Sequence, residues 1–368
     1  VKPFSSRPYE QADPVAKKTV GISDVAREAG VSVGTVSNSF NRPDSVAPET
    51  RARILAVVER LGYVRSESAR QLRTGTSRIV ALLVLDLANP FFVEVANGAE
   101  RAARAAGLGV MVCTSAQSPS EEAEYIGLFT EQQVRGVLVI PADPTGHSLE
   151  PLRRQRIPYV VVDRLVQDAE VCSVSVDDVV GGRLAVEHLL TQGHRRIAYI
   201  SGPPHLQQIR DRRTGALDAI AAAGLPPETL HELPTAHMTI AAGRDAAARL
   251  LGLADRPTAV FCANDLLALG LEQALYAAGV KVPEEVAIVG YDDIEFASAV
   301  AVPLTSVRQP AAEMGRLAAQ MLLAEADAPG EDGSENGSQN GGKSRHEHRA
   351  VVLQPELVVR TSSLHRVG

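Results

Sequence analysis

The 368-residue sequence has little cysteine, only Cys113, Cys172 and Cys262. Thiols this scattered supply neither a disulfide framework nor the paired spacing of a zinc motif, and each sits in an apolar run, where cysteine packs as a small hydrophobe. Long hydrophobic runs are missing as well. The longest are strand-length, well short of the roughly 20 residues that cross a bilayer, so no membrane partner is expected. The first 20 residues hold Lys2, Arg7, Glu10 and Asp13 and no apolar core, which is not the composition of an export signal, and the expected compartment is the cytoplasm. Arrangements that carry out chemistry are also lacking. No nucleophile is set beside a base, no glycine-rich loop is placed to cradle phosphate, and His188 and His194 have no paired nucleophile in view. The chain is therefore not read as an enzyme, and no cofactor or metal is expected.

The formal net charge of -7 hides an uneven distribution. Residues 1–77 carry 12 Lys/Arg against 8 Asp/Glu, while the rest carries 25 against 36. A small basic head on an acidic body can hold DNA locally while the body discourages non-specific contact. At about 150 residues per domain, the length allows two or three domains.

Residues 1–18 are polar and contain Pro3, Pro8 and Pro14; they are expected to be a disordered tail. From Val20 to Tyr63 the pattern is one of short helices. Beyond Ser77, apolar strands alternate with amphipathic helices, as in parallel sheets covered on both faces. Strands are expected at Ile79–Val84, Gly109–Cys113, Gly136–Ile140 and Tyr159–Val162. A second set begins near Val174, with a helix at Asp178–Gln192, a strand at Ile197–Ser201 and a helix at Asp211–Ala223. A helix at Ala242–Leu251, a strand at Ala259–Cys262, a helix at Leu266–Ala278 and a strand at Val286–Tyr291 follow. Two such sheets in tandem place a crevice at the carboxyl ends of their strands, where a small ligand would sit. The stretch 327–349 breaks this rhythm, being rich in Gly, Asp, Glu, Asn and Ser, and reads as a flexible insertion. Its His346 and His348 have no partnering ligands in the sequence, so they give no metal assignment. Val351–Leu353 and Leu357–Val359 read as a terminal strand pair.

Within the head, Ile22–Asn38 has the features of a helix-turn-helix. Ser23 can cap the first helix, and Val25, Ala26 and Ala29 form its apolar stripe. Gly30 supplies a turn with positive φ, Ser32 can cap the second helix, and Val36 faces back toward the first. The second helix then shows Val33, Gly34, Ser37 and Asn38 to the major groove. Asn reads adenine well and Val33 can meet a thymine methyl. Thr35, Ser39 and Asn41 suit phosphates, as do the backbone amides at the helix start, where Ser32 lies. On spacing alone, an ordinary helical hairpin competes evenly with DNA binding.

The residues Ile22–Asn38, followed by Ser39-Phe40-Asn41-Arg42 and by Val46–Ile54, resemble the LacI/GalR family of bacterial transcription regulators. The resemblance implies that Val33, Gly34 and Asn38 take the main base-reading positions. Ser68–Gly75 resembles the family's hinge, in which a short helix forms on DNA and inserts a leucine, here Leu72, into the minor groove. Ser66 can cap that hinge helix, and Ala69 and Arg70 belong to the same DNA-contacting stretch. Arg65-Ser66 stands where the family usually has Pro-Asn. The body resembles the family too, and with it the periplasmic sugar-binding fold.

The implied fold is an all-α helix-turn-helix head plus an α/β periplasmic-binding-protein-like body of two parallel-sheet lobes. The head spans 19–64, the hinge 65–77, and the effector-binding and dimerisation domain 78–361. Lobe 1 takes about 78–162 and 305–326, and lobe 2 about 163–303 and 350–361. Carried over position by position, Asp86, Asn89, Phe91, Phe92, Asp163, Arg164, Arg212, Asn264 and Asp292 become the effector site. Carboxylates, amides and an arginine around aromatics suit a polyhydroxylated ligand, and a sugar is favoured over a purine or sugar phosphate. The expected partners are a palindromic double-stranded operator, a small-molecule effector and a second copy of the chain. Some family members also work with a phosphorylated corepressor protein; no residue here points to one. A small-molecule-binding protein without site-specific DNA binding is the competing reading, and residues 20–75 argue against it.

Overall fold

The computed structural model of the protein describes residues 20–65, 77–166, 168, 170–328 and 346–364. The chain divides into two compact units at Gly75 and Thr76. The smaller is helical: α1 (Ile22–Ala29), α2 (Val33–Asn41) and α3 (Pro48–Leu61). Their apolar faces meet in a small core of Val25, Ala26, Ala29, Val36, Ile54 and Val57. The chain leaves α1 through Gly30 at φ 65°, a backbone state that costs glycine little. Ser32 caps α2, its hydroxyl accepting a bond from the Thr35 amide at 3.0 Å. Ser23 does not cap α1. The cap position is Gly21, whose amide donates to the Asp24 carboxylate at 3.0 Å. Asp24 reaches back from the first turn, leaving Ser23 inside the helix.

The larger unit holds two six-stranded sheets. The first contains β1 (Ile79–Val84), β2 (Gly109–Thr114), β3 (Gly136–Val139), β4 (Tyr159–Val162), β5 (Cys172–Val176) and β11 (Ala350–Leu353), in the order β11-β5-β4-β3-β1-β2, all parallel. The second contains β6 (Ile197–Ser201), β7 (Leu230–Pro234), β8 (Ala259–Cys262), β9 (Ala287–Asp292), β10 (Thr305–Arg308) and β12 (Glu356–Val358), in the order β12-β10-β9-β8-β6-β7. Only the β10–β12 pair is antiparallel. Central strands such as Ala81–Val84 and Val260–Cys262 are wholly apolar because helices cover both faces.

The division into lobes differs from the one expected. The strand near Val174 closes the first sheet rather than opening the second, because Val160–Val162 pairs with Cys172–Val174. Thr305–Arg308 belongs to the second sheet, where it lies parallel to β9. The two terminal strands do not pair with each other. β11 adds to β5 in the first sheet and β12 to β10 in the second. The chain thus crosses between lobes three times, after β5, after β10 and after β11.

The covering helices are α4 (Pro90–Ala105), α5 (Pro119–Glu131), α6 (Glu150–Arg154), α7 (Asp178–Thr191), α8 (Gln207–Ala222), α9 (Ile240–Leu251), α10 (Asp265–Ala277), α11 (Glu295–Ala299) and α12 (Ala311–Ala326). Three pairs of them cross at reciprocal glycines. A Cβ on Gly182 of α7 would lie 2.0 Å from the Arg212 carbonyl oxygen of α8, and one on Gly215 of α8 would lie 1.8 Å from that of Val179. Gly98 with Gly315 joins α4 to α12, and Gly243 with Gly270 joins α9 to α10, in the same way.

Candidate functional site

In the head, the outward face of α2 carries Val33, Gly34 and Asn38, all exposed, with Ser32 beside them at the helix start. Thr35 and Ser37 are half-buried on its flanks, and Thr35 Oγ1 lies 2.8 Å from Ser32 Oγ. Val33 is 43 % exposed. Ser39 cannot meet a phosphate as expected. It is buried, and its hydroxyl donates to the Val36 carbonyl at 2.7 Å. Asn41 is already engaged, its amide donating to the Ser37 carbonyl at 2.7 Å and its oxygen accepting from Arg65 at 2.8 Å. Arg65 also lies over the Phe40 ring, 4.8 Å from the centroid, so this departure from the family's Pro-Asn is bonded to the head. Ser66, Ala69, Arg70 and Leu72 lie outside the described residues.

In the body, the carboxyl ends of both sheets face one cavity lined by Leu85, Asn89, Phe91, Phe92, Asp163, Leu206, Gln208, Ile209, Arg212, Met238, Asn264, Asp292 and Gln309. The loops that follow strands deliver the polar groups. Asn89 ends the loop after β1 and caps α4, accepting from the Phe91 amide at 3.1 Å. Asp163 follows β4, Asn264 follows β8 and caps α10, and Asp292 closes β9. Asp163 and Asp292 hold positive φ, 57° and 102°; the first is a left-handed state that Asp tolerates, the second is strained for a residue with a Cβ.

Bonds from one lobe to the other run across the cavity. Asn89 Nδ2 of the first lobe donates to Asp292 Oδ2 of the second at 2.9 Å, while Gln309 Nε2, at the crossover after β10, steadies the same carboxylate by donating to Oδ1 at 2.8 Å. Gln208 Nε2 donates to the Asp163 carboxyl at 2.9 Å and to its carbonyl at 2.7 Å. Arg212 is held from three sides: Nε donates to Asp178 Oδ1 at 2.7 Å, Nη1 to the Ala263 carbonyl at 2.6 Å, and the guanidinium lies 3.7 Å from the Tyr291 ring centroid. Tyr291 Oη donates to the same Asp178 oxygen at 2.7 Å. The free space among these side chains is about 20 Å³, room for a water and not for a sugar.

The electrostatics follow from burial. Burial, with the Asp178 carboxylate nearby, pushes the Asp163 carboxyl up to about 8 despite Arg212 and Gln208. Burial raises Asp292 to about 6, with Arg212, Asn89 and Gln309 opposing the rise. Burial works against the charge on Arg212, but Asp178, Tyr291, Asp292 and Asp163 outweigh it, and its pKa ends well above the ordinary value. One guanidinium thus stands among the carboxyl groups of Asp163, Asp178 and Asp292. The site offers hydrogen-bond donors and acceptors at close quarters.

Seven of the nine expected effector residues line this cavity: Asn89, Phe91, Phe92, Asp163, Arg212, Asn264 and Asp292. Asp86 does not. Its carboxylate caps its own loop, accepting from the Ala88 amide at 2.8 Å. Arg164 does not either. It is spent on Gln207 Oε1 at 3.2 Å and on the Asp143 and Pro144 carbonyls at 3.0 and 2.8 Å. Sequence reasoning missed Gln208, Gln309 and Asp178. The α8 helix starts at Gln207, a turn earlier than its apolar pattern suggests, and this brings Gln208 to the cleft.

Two family profiles match the chain: residues 21–66 match "Bacterial regulatory proteins, lacI family" and residues 186–363 match "Periplasmic binding protein-like domain". The chain is 32 % identical over 342 residues to the HTH-type transcriptional repressor PurR of Photobacterium profundum, covering 93 % of this chain and 98 % of the relative. Among solved structures, the complex of the transcriptional regulator CelR with cellobiose is similar, with a TM-score of 0.66, 32 % identity, and coverage of 93 % and 99 % of the two chains. The lac repressor dimer bound to operator and the anti-inducer ONPF has a TM-score of 0.79 at 26 % identity, covering 95 % of this chain and all of that one, 100 %.

Proposed function

Because the chain belongs to the lacI family of bacterial regulatory proteins, DNA-binding repressors controlled by small molecules, we propose that it pairs as a two-fold dimer on a palindromic operator and senses a sugar in the cleft between its lobes. The observation that carries the sugar reading is the set Asn89, Asp163, Arg212, Asn264 and Asp292 around Phe91 and Phe92 in one buried cavity. Cellobiose on a similar regulator supports the same class. In the head, Val33, Gly34 and Asn38 read base edges, Ser32, Thr35, Ser37 and Asn41 serve position and phosphate contact, and Ser66, Ala69, Arg70 and Leu72 complete the DNA surface. A DNA reader acts where the DNA is, in the cytoplasm, as a regulator rather than an enzyme.

Dimerisation has support in an exposed apolar groove on the second lobe, lined by Tyr276, Val280, Val282, Val300 and Val302. Tyr276 is 84 % exposed there, a poor position for a large ring unless it is covered. The effector acts by replacing the Asn89–Asp292 and Gln208–Asp163 bonds with its own, which changes the angle between lobes. To switch binding about a hundredfold it must favour one state by about 3 kcal/mol.

The test is fluorescence-polarisation binding to a pool of palindromic duplexes with a central C·G step, at fixed salt, with and without a sugar panel. Selective binding altered by one sugar supports the reading, and the direction of change separates inducer from corepressor. Selective binding that no sugar alters removes the sugar class. Weak, sequence-blind binding across the pool removes site-specific regulation.

A further inference from the structure

The end of the 327–349 stretch is not free of structure. His346 and His348 lead into β11, whose Ala350 is in register with Ser173 of β5. The Ser173 amide donates to the Arg349 carbonyl at 3.1 Å, which fixes His348 beside Cys172. Residues two apart on an extended chain face the same side, and both imidazoles meet the Cys172 thiol: Nε2 of His346 lies 3.1 Å and Nδ1 of His348 3.7 Å from Sγ. The two rings are nearly perpendicular, with centroids 4.9 Å apart. Glu325, in the last turn of α12, points into the same spot with Oε2 4.0 Å from His348 Nδ1. That carboxylate oxygen is buried and accepts no hydrogen bond, a costly arrangement for a group that attracts cations.

One donor atom from each of these four residues lies within 4.8 Å of every other. Around a tetrahedral zinc ion, with Zn–N near 2.0–2.1 Å and Zn–S near 2.3 Å, ligand atoms stand about 3.3–3.8 Å apart. We propose that Cys172, Glu325, His346 and His348 form a binding site for one divalent ion of the zinc type, separate from the effector cleft. One soft sulfur, two imidazoles and one carboxylate match zinc and do not match magnesium or calcium, which take oxygen ligands. Binding releases the thiol proton and gives the buried Glu325 oxygen its missing partner. The ion clasps α12 to the start of the terminal return, joining both ends of residues 326–345 to the edge of the first sheet. Clips that close long stretches of chain gain the most from loop entropy.

The untagged full-length protein, stripped with a chelator and kept reduced, is titrated with Co²⁺ and then Zn²⁺. The expected result is one Co²⁺ per chain, with tetrahedral ligand-field absorption and a thiolate-to-cobalt charge-transfer band, displaced by one equivalent of Zn²⁺. Cys172→Ser should lose the charge-transfer band although Cys113 and Cys262 remain. His346→Ala, at a half-buried position outside the core, should weaken Zn²⁺ binding by about a hundredfold or more, the upper end of what altering even a supporting residue costs. No tetrahedral spectrum in the wild-type protein, or spectra and affinities unchanged in both variants, would overturn the proposal.

Discussion

Replacing Arg212 by Gln removes a cation that the second lobe is built around. The side chain is 5 % exposed and its Asp178 partner 6 %, so the surviving carboxylate cannot simply be taken up by water. Breaking one side of a buried ion pair costs about 3–5 kcal/mol. The Ala263 carbonyl loses its donor, and the Tyr291 ring loses the guanidinium above it. Set against a total stability of about 5–15 kcal/mol, this is a large fraction. Urea unfolding followed by circular dichroism should show the second lobe failing early, and no sugar should restore it. Adding Asp178→Asn removes the stranded charge, and the double variant should regain at least about 1 kcal/mol over Arg212→Gln alone, within the range of coupled neighbours. Single-variant losses below about 1 kcal/mol, or effects that add within about 0.5 kcal/mol, would refute the reasoning. Arg212 would then be a ligand contact without a structural role.

Other outcomes follow from the same geometry. Asp163 titrates near 8 in the fold against 3.8 outside it, so the stability tied to its neutral form is complete below 3.8 and lost as pH rises through about 8; Asp163→Asn should flatten that decline in unfolding measured from pH 6 to 9. Gly215→Ala drives a methyl into the Val179 carbonyl and, three residues from Arg212, should destabilise by about 1–3 kcal/mol and weaken sugar binding in calorimetry. Ser32→Ala removes the α2 cap and should cost about 1 kcal/mol of stability in thermal unfolding. Asn38→Ala should relax base preference at one operator position by about 1–3 kcal/mol while leaving the salt dependence of binding unchanged, as read by competition with single-base-pair variants of the duplex.

Local signals in the sequence were sufficient where one segment settles its own structure. Gly30, Ser32 and Val36 define a turn, a cap and a core contact within seven residues, and each acts as its chemistry suggests. Apolar strands such as Ile197–Ser201 and Ala259–Cys262 were legible for the same reason. Membership of a sheet is not local. Thr305–Arg308 and Ala350–Leu353 join sheets according to which strand edge is open, and nothing within four residues records that. The cavity between the lobes was legible where a strand end delivers a polar residue, as at Asn89 and Asp292. It was not legible at Gln208, which lies just before the helix expected from Asp211, or at Gln309, which follows the strand Thr305–Arg308. Asp86 and Arg164 have the right chemistry but bond to their own surroundings. The Cys172–Glu325–His346–His348 cluster draws on three distant segments, so no spacing could announce it.

The reciprocal glycines have a mechanical meaning. Where α4 meets α12, α7 meets α8 and α9 meets α10, backbone rests on backbone with no intervening layer of side chains to give. Each lobe is therefore stiff, and whatever compliance the body has is concentrated in the three crossovers, at Asp177, at Gln309-Pro310 and at Gln354-Pro355. A ligand that pushes on Asn89 or Asp292 applies torque to two levers rather than denting a soft interior. Substitutions inside a lobe should then alter how long the protein lasts, whereas substitutions at those three short segments should alter how far it swings.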